Sequence, residues 1–276
     1  MTEVQQAVLV FVLLLGGTGL GVLLRPLLPE EHRKHETVQL VQLVIGMLVT
    51  FAALVLSLLT ASAKSSFDTA TNDMRTYAAD LIQLDQRLRD YGPDAATART
   101  LLRAYTASAI ASTWEQEKPP PGNYYPHDPG VGNDELESRQ LGALLDSVGH
   151  EIDTLVPHDA YHQALVSPLA QMFDRVTDTR WRLIEEAHGS ISRPFFTMLA
   201  LWLVLIFLSF GLVAPHNALA IVLIVLGAVS ISSAVFVIAD LDTPFTGQLV
   251  VPSDSMRDAL AHMNAPASSD ASEPLR

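Results

Sequence analysis

The stretch LVIGMLVTFAALVLSLLTASA, Leu43–Ala63, carries no charge and leads directly into KSSFDTATNDMRTYAADLIQLDQRLRDY, Lys64–Tyr91. The first half has about the 20 apolar residues that a helix needs to cross a bilayer core. The second half is polar, yet Phe67, Ala70, Met74, Tyr77, Leu81, Leu84, Leu88 and Tyr91 recur at alternating spacings of three and four. That is an a/d seam, the mark of a helix that buries one narrow stripe. Neither glycine nor proline interrupts the chain between Gly46 and Gly92-Pro93. The two halves therefore read as one helix of about 50 residues, roughly 75 Å long, that leaves the membrane and continues into water.

Three more uncharged runs of span length surround this one: Ala7–Leu24, Phe195–Ala214 and Ala218–Ala239. Apolar residues make up 49% of the chain and charged residues 17%, and the mean hydropathy is +0.27. The expected fold is all-α: an integral membrane protein with four transmembrane helices and a helical soluble domain between the second and third. Residues 1–63 hold the first two spans, 64–193 the soluble domain and 194–240 the last two spans. A turn and short helix fill 241–263, and 264–276 read as a disordered tail. The leader MTEVQQ has an acid and no base, and no small-x-small site follows before Arg25-Pro26. The first run is therefore expected to be a retained span rather than a signal peptide.

Within the soluble domain, Asp94 reads as the N-cap of a helix reaching about Glu117. The Pro- and Gly-rich stretch Lys118–Asn133 reads as a loop. Helices are then expected over about Asp134–Val156 and from just past Pro157 to near Ala187. Between Lys64 and Arg193 there are 20 acids and 12 bases, an excess of −8 within the chain's net charge of −13. A binder of nucleic acid would need a basic face instead. The chain has no cysteine, which removes disulfides, thiolate nucleophiles and zinc-thiolate sites.

Signs of catalysis are thin. His158 and His162 in HDAYH have i,i+4 spacing but lack the glutamate of a zinc-hydrolase helix, so they read as surface histidines. His32 and His35 sit among Glu30, Glu31 and Glu36 in what reads as a solvated interfacial loop. No Gly-rich phosphate loop or nucleophile elbow is present. No ionisable residue lies inside a span, which argues against a proton relay across the bilayer. No catalytic residue, metal site or cofactor is expected.

Three features carry functional readings. Gly46, Thr50, Ala53, Ser57, Thr60 and Lys64 recur at spacings of four and three, a stripe of small or hydroxylated residues that ends in a cation. It suits close helix packing, or the wall of a pore with Lys64 at its mouth. Gly17 and Gly21 form a GxxxG on the first span, for packing inside the subunit or between subunits. Asp240 and Asp242, beside Pro244, would bind a cation or cap neighbouring backbone.

The segment YTASAIASTWEQE (Tyr105–Glu117) and the segment DLDTPFTGQLVVPSDSMRDAL (Asp240–Leu260), with two spans at each end, resemble the bacterial bestrophin-like membrane proteins. Asp242, Pro244, Phe245 and Gly247 fill the places of that family's turn, followed by an extended piece and a short helix. The resemblance implies the plan of the bestrophins, which are pentameric anion channels with four spans per subunit and cytoplasmic helices continuing the pore. The acidic calcium clasp of animal bestrophins has no counterpart here, so calcium gating is not implied. The expected function is an oligomeric, channel-like membrane protein with inorganic anions as cargo and span two as pore wall. Its expected partners are the lipid bilayer and other copies of itself. The alternative is a non-conducting sensor or scaffold whose helical domain binds a protein.

Four spans put both termini and the soluble domain on one side. That side offers Lys64, Arg75, Arg180, Arg182, Arg193 and Arg257 near the membrane; the other offers Arg25, Arg33 and Lys34. The positive-inside rule then orients the domain into the cytoplasm of a bacterial inner membrane. A cytoplasm-active reporter inserted within Lys118–Asn133 is expected to work in intact cells. Activity there from a reporter that functions only outside would reverse the orientation.

Overall fold

The computed structural model describes residues 3–27, 35–126, 139–187, 193–215 and 217–265, apart from the side chains of 35–38 and 193. Among them are eight α-helices: α1 Glu3–Leu24, α2 His35–Tyr91, α3 Ala96–Thr113, α4 Arg139–Asp153, α5 Ala160–Ala187, α6 Arg193–Val213, α7 Ala218–Leu241 and α8 Asp254–Asn264. Helix α2 is continuous over 57 residues, because nothing in its sequence breaks the hydrogen-bond ladder. Four helices are long and apolar enough to span a membrane, and they contain the four charge-free runs, save that the third helix ends one residue short of Ala214. The protein is an all-helical integral membrane protein.

The chain forms two compact units. One comprises Met1–Asp68 and Gly189–Val250, the other Thr69–His188 and Val251–Arg276. In the first unit, α1 packs on α6 and α7. Lipid tails are as apolar as leucine, so helices in a bilayer associate through close contact rather than through water exclusion. Here the contact is backbone on backbone. A Cβ added at Gly21 would lie 2.1 Å from the Leu208 carbonyl oxygen and 3.0 Å from the Gly211 Cα. One added at Gly211 would lie 2.1 Å from the Thr18 carbonyl oxygen. Gly17 continues the groove, with the Val204 carbonyl oxygen 3.1 Å from its missing Cβ. Gly16 and Gly19 lie on the opposite side with nothing within 4 Å. At the end of α1, the Arg25 guanidinium donates to the Ala214 carbonyl at 2.9 Å, which satisfies an orphan acceptor at the end of α6. Ile45, Ala52, Leu59 and Ala63 of α2 join the same core beside Leu199, Leu203 and Phe207.

In the second unit the a/d seam is buried from Ala70 to Tyr91, with Leu81, Leu84 and Leu88 fully enclosed. Helix α3 takes the centre, buried at every residue from Ala104 to Ile110. Its small side chains let α4 and α8 lie against it, and Tyr105 meets Tyr77 of α2 hydroxyl to hydroxyl at 2.5 Å. Several local boundaries differ from the sequence reading. Asp94 sits inside a 3-10 turn, Pro93–Ala95, and α3 starts behind Ala95 without a side-chain cap. Asp94 instead pairs with His158 at 3.1 Å. Helix α3 ends at Thr113 because Trp114 leaves helical geometry (φ −116°, ψ 62°) and donates its indole N–H to the Val251 carbonyl at 2.7 Å. Residues 127–133 of the expected loop, 134–138 of the expected α4 start, and the tail from 266 lie outside the described residues.

Gly21→Ala is expected to lower thermal stability by about 2 kcal/mol or more, because backbone atoms must move apart to admit the methyl group. Gly19→Ala, on the open side of the same helix, is expected to stay within about 0.5 kcal/mol. Thermal unfolding of the two variants in detergent checks the pair; equal effects would contradict the close approach.

Candidate functional site

Helix α2 has three distinct faces within the membrane. At 100° per residue, Gly46, Thr50, Ala53, Ser57, Thr60 and Lys64 fall within an arc of about 80°. The residues that α2 gives to its own unit's core, Ile45, Ala52, Leu59 and Ala63, centre about 115° away from that arc. Leu43, Met47, Phe51, Leu54 and Leu58 are exposed and centre about 100° away on the other side. All six stripe residues are exposed as well, and a Cβ at Gly46 would meet nothing within 4 Å. The stripe is thus not where α2 packs within the subunit. It is a narrow polar surface beside a broad apolar one.

The hydroxyls on this surface are held by their own helix. Thr50 donates to the Gly46 carbonyl at 2.9 Å and Thr60 to the Leu56 carbonyl at 2.8 Å. With their protons committed to the backbone, they turn acceptor oxygens outward. The stripe also extends beyond the six residues. Gln42 and Gln39 lie on the same arc, one and two turns before Gly46 respectively, and are exposed. Counting back from Gly46 in steps of four and three would have found them.

At the other end, Lys64 is not a lone cation. Its ammonium pairs with Asp68 one turn on and stands 5.6 Å from the Phe67 ring centroid. Both charges are more than half exposed. The mouth therefore carries a neutral pair where the sequence reading had placed a positive charge. On α7, the small residues Gly227, Ser230, Ser233 and Ala234 begin with a packing contact, since Gly227 faces the Phe207 ring of α6. Ser233 bonds back to the Val229 carbonyl at 2.8 Å.

The turn after α7 is organised by Asp240, which is 1% exposed. Its two carboxylate oxygens accept the backbone N–H groups of Gln248 and Leu249, each at 2.9 Å. Both oxygens are committed to backbone donors, so Asp240 acts as a cap. Asp242 closes α7 as its C-cap, its N–H donating to the Ile238 carbonyl at 3.2 Å. Pro244 and Phe245 are buried, the latter at 6% exposure. Gly247 has φ +95°, and a Cβ there would lie 2.2 Å from Asp240 Oδ1. Thr243 reaches Glu3 at 3.5 Å, which brings the start of α1 to this turn. Asp240 is thus the centre of a motif that the sequence reading built around Asp242, Pro244, Phe245 and Gly247. A helix-terminal aspartate seven residues before a glycine was the available signal.

In the second unit, the segment Tyr105–Glu117 ends on α8. The Glu117 carboxylate accepts from the Ser253 hydroxyl at 2.5 Å and from Arg257 Nε at 3.0 Å. Arg257 also donates to the Lys118 carbonyl at 3.0 Å. The Ser253 hydroxyl is thereby spent on Glu117 and makes no capping bond to α8. His158 and His162 pair separately with Asp94 and Asp159. Among the described residues no three His, Asp or Glu side chains converge to hold a metal. His32 and the side chain of His35 lie outside that description.

The chain matches the bestrophin-like domain over residues 11–256. No curated protein matches it. Solved structures of a bacterial bestrophin homologue from Klebsiella pneumoniae share its fold. Three single-residue variants of that protein align at 16% identity with TM-scores of 0.57, 0.60 and 0.63. They cover 93%, 92% and 95% of this chain, and this chain covers 97% of each.

Asp240→Ala leaves two backbone donors unpaired and is expected to cost about 2 kcal/mol or more. Gly247→Ala is expected to be comparably harmful, through both its positive φ and the clash with Asp240. Thr246→Ala, on the exposed side of the turn, is expected to be near neutral. Melting temperatures of the three variants decide whether this turn is held as described.

Proposed function

Since this chain belongs to the bestrophin-like family, we propose that it assembles as a homo-oligomer and conducts small ions, with the α2 stripe lining the path. The observation that supports this most is the exposed polar face of α2, set apart from both the subunit's own core and the bulky apolar face. Exposed to lipid, threonine and serine oxygens would gain nothing; around a shared axis they would meet water. In this arrangement the bulky face, Leu43, Met47, Phe51, Leu54 and Leu58, meets lipid or a neighbouring subunit.

Anions are the finer part of the proposal. No acid occurs on α2 from Gln39 to Ala63, so nothing along the spanning stripe repels an anion. Against this, the outward acceptor oxygens of Thr50 and Thr60 and the Lys64–Asp68 pair leave the surface without net positive charge. Anion passage would therefore draw on hydroxyls that turn away from the backbone, and on Lys64 exceeding Asp68 in its influence at the mouth. The soluble unit and both termini are assigned to the cytoplasm of a bacterial inner membrane, on the distribution of Lys and Arg.

Single cysteines test the path cleanly, because the native chain has none. In reconstituted protein, cysteines at Thr50, Ala53, Ser57 and Thr60 are expected to react with water-soluble thiol reagents and to reduce ion flux once modified. Cysteine at Leu58, on the bulky face, is expected to stay protected. Lys64→Glu is expected to shift the reversal potential in a salt gradient toward cation preference, by leaving two acids one turn apart. Protection of all four stripe sites with no measurable flux would favour a non-conducting scaffold instead.

A further inference from the structure

Where the water-exposed stretch of α2 meets the end of α5, two carboxyl groups face a single guanidinium. Asp73 of α2 has a side chain only 18% exposed, and Arg182 of α5 lies 3.5 Å from its Oδ2. One turn beyond Arg182, the Glu186 carboxyl is set against the Asp73 carboxyl. Glu186 Oε2 is sealed from solvent and has no hydrogen-bond partner among the described residues. Two adjacent carboxylates would repel and leave that oxygen desolvated. A proton on Glu186 removes one charge and supplies the donor that the pair otherwise lacks.

We infer that Glu186 holds a proton against the Asp73 carboxyl and that the two form a pH-sensitive clasp that pins the soluble stretch of α2 to the last turns of α5. The charged groups acting on Glu186 are Asp73 from α2 and Arg182 from its own helix. Burial, followed by the Asp73 charge and the hydrogen bond to Asp73, pushes the Glu186 carboxyl up to about 7 from 4.5, with Arg182 opposing. The folded value is raised, so the clasp's stabilising contribution is complete below the unfolded value and is lost as pH rises through about 7. The protonated fraction falls from about nine-tenths at pH 6 to about one-tenth at pH 8. Above neutrality both groups are charged against one arginine, and the α2–α5 contact weakens. Asp73 lies five residues past Asp68 and Glu186 eight residues before Pro194, so the clasp joins the segments that lead to the second and third spans. It stands independently of whether those spans conduct.

Hydrogen–deuterium exchange on the full-length protein in lipid nanodiscs tests the clasp. Rates are corrected for the intrinsic pH dependence of exchange. Peptides covering Thr69–Arg87 and Val176–Ala187 are expected to exchange about fivefold faster at pH 8 than at pH 6. Glu186→Gln keeps a neutral donor at both pH values and is expected to exchange slowly at both. Asp73→Asn removes the repelling charge, leaves Arg182 for Glu186, and is likewise expected to lose the pH difference. A wild-type protein with no difference between pH 6 and pH 8 would overturn the clasp. So would Glu186→Gln and Asp73→Asn variants that keep the wild-type difference.

Discussion

A helix crossing a bilayer has to keep its backbone hydrogen bonds to itself, because lipid offers no substitute partners. Helix α2 meets that demand over 57 residues and carries the same uninterrupted ladder into the soluble unit. The same helix supplies core residues to both units, Ile45 to Ala63 in the first and Ala70 to Tyr91 in the second. Its faces are consequently divided up. The side used for packing is spoken for along the whole helix, and any other role must be played by what remains.

What remains is decided by α1, α6 and α7. The backbone contact between Gly21 and Gly211 lets α1 and α6 approach without intervening side chains, so dispersion contacts act beside the Arg25–Ala214 hydrogen bond in holding them. With α1 seated on α6 and α7, the core of this unit is filled at α2 by small residues, Ala52 and Ala63, as well as by Ile45 and Leu59. Among the described residues, no helix of the same chain covers the polar stripe. On the proposed reading, a conduction path on that stripe would be completed by other copies of the chain.

Three polar groups hold the segment that follows the last span. Asp240 holds two loop N–H groups, Trp114 holds the Val251 carbonyl, and Glu117 gathers Ser253 and Arg257. Trp114 and Glu117 tie that segment to an element much earlier in the chain, and Asp240 folds it back onto the end of α7. This gives a physical reason for the two segments singled out in the sequence: the tryptophan and glutamate end of one grips the extended piece and helix of the other. Asp73 and Glu186 differ from these in being two acids set against each other, which is why proton sensitivity is proposed there.

The sequence by itself determined the four spans, the uninterrupted α2 and the buried seam from Ala70 to Tyr91. These depend on apolar run length, on the absence of Gly and Pro, and on helical periodicity, all of which are local. It also exposed the family through the turn around Asp242, Pro244, Phe245 and Gly247. Only the tertiary structure decided that Asp240 is the centre of that turn, since its partners Gln248 and Leu249 are reached by folding back. It separated Gly17 and Gly21, which pack on α6, from Gly16 and Gly19, which do not. The stripe from Gly46 to Lys64 was legible as a pattern but not as a surface. Close packing and a water-facing wall select the same small residues, and only the positions of the other helices tell which face is left open. The pairing of Lys64 with Asp68 was within reach of sequence, being i,i+4. The meeting of Asp73 with Glu186 was not, because 113 positions separate them and no periodicity links residues on two different helices.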